Sequence, residues 1–429
     1  MTKIGVGILG FGTVGAGVAK GLLENHDVLL ERTGVDIELR AITDLDTKTD
    51  RGVSIPDGIL VNDAMAVIRD PRIQIVVELI GGTGVAKKFV LEAIAAGKPV
   101  VTANKKLLAE YGAEIFGAAA KAGVDVYFGA SVGGGIPIIR SLRDGLAGAR
   151  IETIYGILNG TCNYILTAME KQGLPFDEVL STAQKFGFAE ANPTLDVDGF
   201  DTLHKATILA ALAFGFMPDV HALPVRGIRD VAAQDIAEAN ELGFRIKLLA
   251  IIKDSKDGLE LRVEPTLVPV DGMLGSVSGV FNAAMVKSDL DDWTLYYGRG
   301  AGRLPTATTV IGDIAEVARA LAAGSRRAVT VPSALNSVVL KKIGDCSSRA
   351  YVRLTLKDAA GSLAAATSVF ARHGVSISSA IQRGSDEKGF ATVVILTHEA
   401  KRSALASALD EIEALPRSGA KPVWFGIEG

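Results

Sequence analysis

The chain has 429 residues, 48% of them hydrophobic and 22% charged. That balance belongs to a globular protein and excludes a disordered or collagen-like polymer. A net charge of −4 leaves no basic footprint for nucleic acid, and two cysteines, Cys162 and Cys346, cannot build a disulfide framework and fit a reducing cytoplasm.

No apolar run reaches the roughly 18 residues of a membrane span. The opening MTKIGVGILGFG lacks the pattern of a signal peptide, so a cytoplasmic protein without a membrane partner is expected. At roughly 100–200 residues per domain, two to four domains are expected. Glycine is in excess, with 48 residues, and seven of the first 21 are glycine. The average is roughly 7%.

Residues 3–10 read as a short buried strand, followed by Gly10-Phe11-Gly12-Thr13-Val14-Gly15 and then a helical apolar pattern. The first glycine permits a tight turn, the second lets backbone approach a pyrophosphate, and the third allows close helix packing. Residues 36–43 alternate as a strand, and Asp44 follows where an acid takes the ribose hydroxyls of a dinucleotide. Thr43 stands where an Arg would argue for NADP, whereas Lys48 and Arg51 are near enough to meet a 2′-phosphate. NAD and NADP both stay open.

Residues 73–80 form a continuous apolar run, 86–96 and 106–121 read as helices, and 99–102 reads as a strand. Strands alternating with helices predict a doubly wound parallel sheet over residues 1–135. Thr102, Asn104 and Lys105 follow a strand, at the carboxyl edge where ligands bind in such sheets.

After residue 135 the pattern becomes α+β. A strand at 150–158 leads into Gly160-Thr161-Cys162, and helices are predicted near 176–186, 202–216 and 232–242, with strands at 244–254 and 259–266. Residues 298–319 are a Gly-rich loop entering a helix. Lys341–Ser348 reads as a linker. The tail from 350 to 429 has the order β-α-β-β-α-β, the split βαβ arrangement.

Chemistry concentrates between Glu190 and Lys205, where Glu190, Asp196, Asp198 and Asp201 precede the lysine. Asp201 and Lys205 are four apart and share a helix face. A lysine beside an acid at the mouth of an apolar helix suits proton transfer. The alternative is a surface ion pair. A calcium loop at Asp196-x-Asp198-Gly fails the EF-hand spacing. Cys162 offers a thiol nucleophile; no histidine lies near it in sequence, and His204 is the candidate to activate it.

Together these motifs closely resemble homoserine dehydrogenase. GFGTVG at 10–15, TANKKLLA at 102–109, ASVGGGIPII at 130–139, GILNGTCNYIL at 156–166, GFAEANPTLDVDGFDTLHKATILA at 187–210 and GRGAGRLPTATTVIGDI at 298–314 carry the likeness. The tail resembles an ACT domain, a small ligand-sensing module. The resemblance implies a Rossmann domain (1–135, with 300–320 packing back on it), a catalytic and dimerisation domain (136–340) and a ferredoxin-like ACT domain (350–429).

It implies NAD- or NADP-linked interconversion of L-homoserine and L-aspartate 4-semialdehyde. Lys205 would donate the proton, with Asp201 beside it and Lys105 assisting. Glu190 would hold the substrate ammonium, Asp196 its polar end, and Gly160 and Thr161 would line the substrate site. Gly302 would lie near the cofactor. A Na+ or K+ ion would rest on the carbonyls of Val132 and Gly134. Family members carry an acid just before Ala-Ser-Val-Gly, and here that position is Gly129. Threonine is the expected effector at the ACT domain, and a homo-oligomer is expected. Two other readings compete: a phosphorylating semialdehyde dehydrogenase using Cys162, and a regulatory sensor that binds nucleotide and amino acid without turnover.

Overall fold

A computed structural model describes residues 2–325 and 338–429, so residues 326–337 of the expected middle domain lie outside the described part. The chain divides into two compact units. The first gathers Met1–Gly160, Asp201–Leu223 and Phe281–Val338; the second gathers Thr161–Phe200, Pro224–Val280 and Val339–Gly429.

The first unit is built on six strands: β1 (Lys3–Leu9), β2 (Asp36–Thr43), β3 (Leu60–Val61), β4 (Ile75–Glu78), β5 (Val100–Thr102) and β6 (Val126–Tyr127). They pair in the order β3-β2-β1-β4-β5-β6, and every pairing is parallel. This is the doubly wound dinucleotide-binding order, with its switch point between β1 and β4. Both faces are covered, which is why β1 and β4 read as unbroken apolar runs. One covering layer joins the helices Thr13–Glu24 and Arg303–Ala322.

Their approach depends on absent side chains. A Cβ on Gly17 would stand 2.8 Å from the Arg303 carbonyl oxygen, and one on Gly21 would stand 2.4 Å from Ile311 Cδ1. Part of the glycine excess therefore serves helix packing rather than ligand binding. The unit also holds an antiparallel hairpin, Phe281–Ser288 with Asp292–Arg299, whose first strand pairs with Ile151–Ile157. The sequence pattern missed this hairpin. In the helix Phe200–Phe214, every residue from Asp201 to Ala211 is buried.

In the second unit the strands Phe244–Lys253 and Glu260–Pro269 pair antiparallel. The last strand of the chain, Val423–Ile427, runs parallel to Glu260–Pro269 on one side and antiparallel to Ser347–Lys357 on the other. Phe390–Thr397 and then Ile377–Ser385 complete that sheet outward. The helices Ser362–Arg372 and Arg402–Glu413 pack over it on a core including Val352, Phe370 and Leu409. This is the expected split βαβ module.

The stretch read as a linker is packed instead. Leu340 bridges Leu259, Lys341 N–H donates to the Leu259 carbonyl, and Cys346 is buried. A buried ion cluster ties the same parts together. Arg262, whose side chain is 1% exposed, pairs with Glu260, with Glu264 (3.1 Å) and with Glu428 (2.7 Å). Arg402 grips both oxygens of Glu264 at 2.8 and 2.6 Å, and Lys253 reaches Glu428 at 2.6 Å.

Candidate active site

The loop after β1 is shaped by its glycines. Gly10 has φ +102°, and a Cβ there would lie 2.6 Å from the Leu79 carbonyl oxygen. A Cβ on Gly15 would lie 2.0 Å from the Gly10 carbonyl oxygen, so the helix Thr13–Glu24 starts hard against the turn. A Cβ on Gly12 would meet nothing within 4 Å. The loop is thus closed on its protein side and open on the other, and Thr13 and Val14 begin the helix whose N-terminus faces that opening. Beside it lies a cleft of 580 Å³, lined by Gly10, Gly12, Thr43, Asp44, Asn62 and Asp63 among others. That volume suits a nucleotide, and the cradle fits a dinucleotide.

Asp44 ends β2 as expected, but its carboxylate also holds the loop. Oδ2 accepts the Phe11 N–H at 2.6 Å, and Oδ1 accepts the Asp46 N–H at 2.9 Å. A residue that the sequence reading missed organises the next strand ends. Glu78, wholly buried, accepts from Ile80 N–H, Gly81 N–H and Thr102 Oγ1 (2.6 Å), and burial raises its carboxyl above the usual range. Thr102 Oγ1 accepts the Asn104 N–H, while Asn104 donates to the Gly82 carbonyl and caps the helix Lys105–Ala122. Glu78 was hidden because it closes an apolar run.

The lysine–aspartate pair is buried, which overturns the surface ion-pair alternative. Lys205 Nζ donates to Asp201 Oδ2 at 2.7 Å and to the Leu158 carbonyl at 2.6 Å. Lys105, a hundred residues earlier, brings its Nζ to 3.1 Å from Asp201 Oδ1. Asn159, also missed, donates to Asp201 Oδ2 at 2.8 Å. Burial would raise the Asp201 carboxyl, but Lys205, then Lys105, and the hydrogen bonds from Lys205 and Asn159 hold it well below the usual carboxylate range. The Lys205 side chain is 9% exposed and that of Lys105 is 39% exposed. One ammonium is enclosed and the other faces outward, on either side of a fixed anion. Such a pair can stabilise a developing oxyanion and deliver a proton.

In the second unit, Thr161 lies in the first turn of the helix Gly160–Gln172, and its Oγ1 donates to the Phe188 carbonyl at 3.0 Å. Gly160 opens that helix at the end of the first unit. Glu190 sits exposed on the loop before the short helix Thr194–Val197, and Gln184 Nε2 donates to its carbonyl at 3.0 Å. Asp196 is half-buried, and the wholly buried Cys162 places its Sγ 3.1 Å from the Asp196 carbonyl. A thiol enclosed against a carbonyl is poorly placed as a nucleophile. His204 is buried too, and burial lowers its pKa.

Gly302 is exposed, with φ +121°, at the N-terminus of Arg303–Ala322. Thr309 Oγ1 donates to the Gly134 carbonyl at 2.7 Å, and Val132 is fully buried. The space where an acid at 129 would begin is taken. A Cβ on Gly129 would stand 2.9 Å from both carboxylate oxygens of Asp313, and the Gly129 N–H donates to Asp313 at 2.8 Å. Residue 129 offers no side-chain ligand, and the nearby carboxylate comes from Asp313. Burial pushes that carboxyl up to about 7. Among the described residues no cluster of three or more His, Cys, Asp or Glu could hold a metal ion.

Family models described as homoserine dehydrogenase, NAD binding domain, as homoserine dehydrogenase, and as ACT domain match residues 10–129, 137–315 and 350–417 respectively. The chain is 44% identical to a homoserine dehydrogenase of Neisseria gonorrhoeae, covering 97% of this chain and 96% of that one. It is 40% identical to a homoserine dehydrogenase of Pseudomonas aeruginosa, with the same coverage. A crystal structure of a homoserine dehydrogenase from Thiobacillus denitrificans matches with TM-score 0.94 at 40% identity, covering 100% of this chain and 99% of that one. A hyperthermophilic archaeal homoserine dehydrogenase in complex with NADPH matches at TM-score 0.62 and 28% identity, covering 73% of this chain and 97% of that one.

Proposed function

Because the chain belongs to the homoserine dehydrogenase family and catalyses NAD(P)-linked interconversion of L-homoserine and L-aspartate 4-semialdehyde, we propose that Lys205 is its proton donor, with Asp201 and Lys105 completing the catalytic group. The single observation behind this is the Asp201 carboxylate held between two ammonium groups. The nicotinamide supplies or accepts the hydride. In the reducing direction an alkoxide forms on the former aldehyde oxygen, and Lys205 gives it a proton while Lys105 stabilises it. Asp201 and the Leu158 carbonyl fix the direction of the Lys205 ammonium.

Glu190 takes the substrate ammonium, Asp196 its polar end, and Gly160 and Thr161 present backbone to its carboxylate. Residues 10–15, Asp44, Thr102, Asn104, Lys105 and Gly302 hold the dinucleotide. A monovalent cation would rest on the Val132 and Gly134 carbonyls, with Asp313 in place of an acid at 129. The domains run 1–135, 136–340 and 350–429.

The test is homoserine-dependent reduction of NAD+ or NADP+. Lys205→Ala should lower kcat by about 10²–10⁴, whereas Cys162→Ala should keep most of it. The reverse result would favour a thiol mechanism.

The C-terminal module is read as a threonine sensor in a homo-oligomer. A cavity there is lined by residues 356–363, Gln382, Ala391 and Val393, and the buried Ser362 Oγ on its wall has no hydrogen-bond partner. A hydroxyl amino acid suits such a group. The outermost strand, Ile377–Ser385, is nine residues long and suits pairing with a second copy. Threonine should raise the thermal midpoint of the wild type but not of Ser362→Val. Among the described residues no helix is long and apolar enough to cross a membrane.

A further inference from the structure

The two nicotinamide dinucleotides differ by one phosphate on the adenosine ribose, which carries close to two negative charges at neutral pH. In a doubly wound sheet that ribose sits at the carboxyl end of β2, where an acid favours the free hydroxyls and an arginine favours the phosphate. The charge of that corner therefore decides which nucleotide is taken.

Here β2 ends in the uncharged, buried Thr43, and Asp44 follows. Asp44 and Asp63 both line the cleft, and none of its described lining residues is Lys or Arg. Neither carboxylate is loose. Asp44 is pinned by the N–H groups of Phe11 and Asp46, and Asp63 accepts the Ala66 N–H at 3.0 Å as cap of the helix Ala64–Arg69. From 44 to 63 the chain carries five aspartates against Lys48 and Arg51.

Two arginines pack beside the loop: Arg303, which donates to the Arg51 carbonyl at 2.8 Å and does not line the cleft, and Arg51, whose guanidinium is already engaged. Nε donates to the Phe11 carbonyl at 2.7 Å, Nη1 to the Thr49 carbonyl at 3.0 Å, and Nη2 to Asp46 Oδ2 at 3.2 Å. Its side chain is 15% exposed. Lys48 is exposed and does not line the cleft.

Resting on the dinucleotide-binding reading above, we propose that this enzyme selects NAD(H) over NADP(H), with Asp44 and Asp63 repelling a 2′-phosphate and Thr43 leaving it no cationic partner. Asp44 accepts the ribose hydroxyls. Binding the phosphorylated form would set its charge against two fixed carboxylates or require Arg51 to leave all its acceptors.

The test is equilibrium binding of NADH and NADPH to the full chain, followed by nicotinamide fluorescence in about 0.02 M and about 0.3 M choline chloride. At low salt NADH should bind at least about tenfold more tightly. Added salt should narrow the gap, because it screens a repulsion. Thr43→Arg should bring the two affinities together. Asp63→Asn, which keeps the helix cap, should shrink the gap even if the buried Thr43 site does not tolerate Arg. Equal or tighter NADPH binding by the wild type would overturn the proposal. So would an NADPH affinity that falls with salt faster than that of NADH, since a cation would then be holding the phosphate. If neither nucleotide binds, the dinucleotide reading itself fails, and that outcome is distinct from loss of selectivity.

Discussion

Two buried charge clusters, one in each unit, are built for opposite purposes. Around Asp201 the cations are lysines, and one of them, Lys105, keeps 39% of its side chain exposed. Around Glu264 the central cations are Arg262 and Arg402, with every carboxylate partner less than a tenth exposed. Arginine keeps its proton under all ordinary conditions and grips carboxylates with a rigid fork; lysine is a compact donor that can give its proton up. The first cluster is open and able to exchange a proton. The second keeps its two arginines enclosed and joins strands, with Lys253 at its edge. Burial and pairing by themselves therefore say little about catalysis; the kind of cation and the open side say more.

The sharpest way to break this contrast is to put the wrong cation in the catalytic cluster. Lys205→Arg keeps the charge but should lower kcat by about 10²–10⁴, with the chain still folded by circular dichroism. The converse change, Arg402→Met, strips the fork from a buried carboxylate. It should cost about 3–5 kcal/mol in urea unfolding, and Arg402→Lys should cost less. Under conditions where either variant is folded, kcat should stay near that of the wild type.

A third buried cation sharpens the comparison further. Lys247, 1% exposed, donates to the Val277 carbonyl at 2.6 Å and to Asn163 Oδ1 at 3.4 Å rather than to a carboxylate. Burial pushes its amine down to about 8. Between that value and its ordinary 10.5 the unfolded chain binds more protons than the folded one, so stability should rise with pH across this window. The rise from this group should be about 2–3 kcal/mol. Lys247→Met should lack it when unfolding is compared near both ends of the window.

Much of the fold was legible because long apolar strands and helices announce themselves by period. Strands β3 and β6 were not, since two residues carry no period. The hairpin Phe281–Arg299 escaped for another reason: its strands mix alanines with polar residues, and its turn rests on Asp292 at φ 50° rather than on glycine. In the site, Asp201 and Lys205 were readable from helical spacing. Lys105 joined them through its resemblance to a family motif, since no spacing rule spans a hundred residues. Asn159 was not singled out because its partner Asp201 is distant in sequence, and Glu78 was not because it closes an apolar run. The contact of Cys162 is with a backbone carbonyl, which leaves no mark in the sequence.

The position of the last strand has a consequence for how the protein is made. Val423–Ile427 lies between Glu260–Pro269 and Ser347–Lys357, and Glu428 completes the pairing of Arg262 and Lys253. During synthesis the strand at 260–269 is formed more than 150 residues before its neighbour exists. The first unit's β1–β6 sheet has all its strands once residue 127 is made, but the second unit cannot close until residues 423–428 are in place. Until then Arg262 and the edge of the strand Glu260–Pro269 lack their partners, so the most aggregation-prone stage of folding lies between the synthesis of residue 269 and that of residue 423.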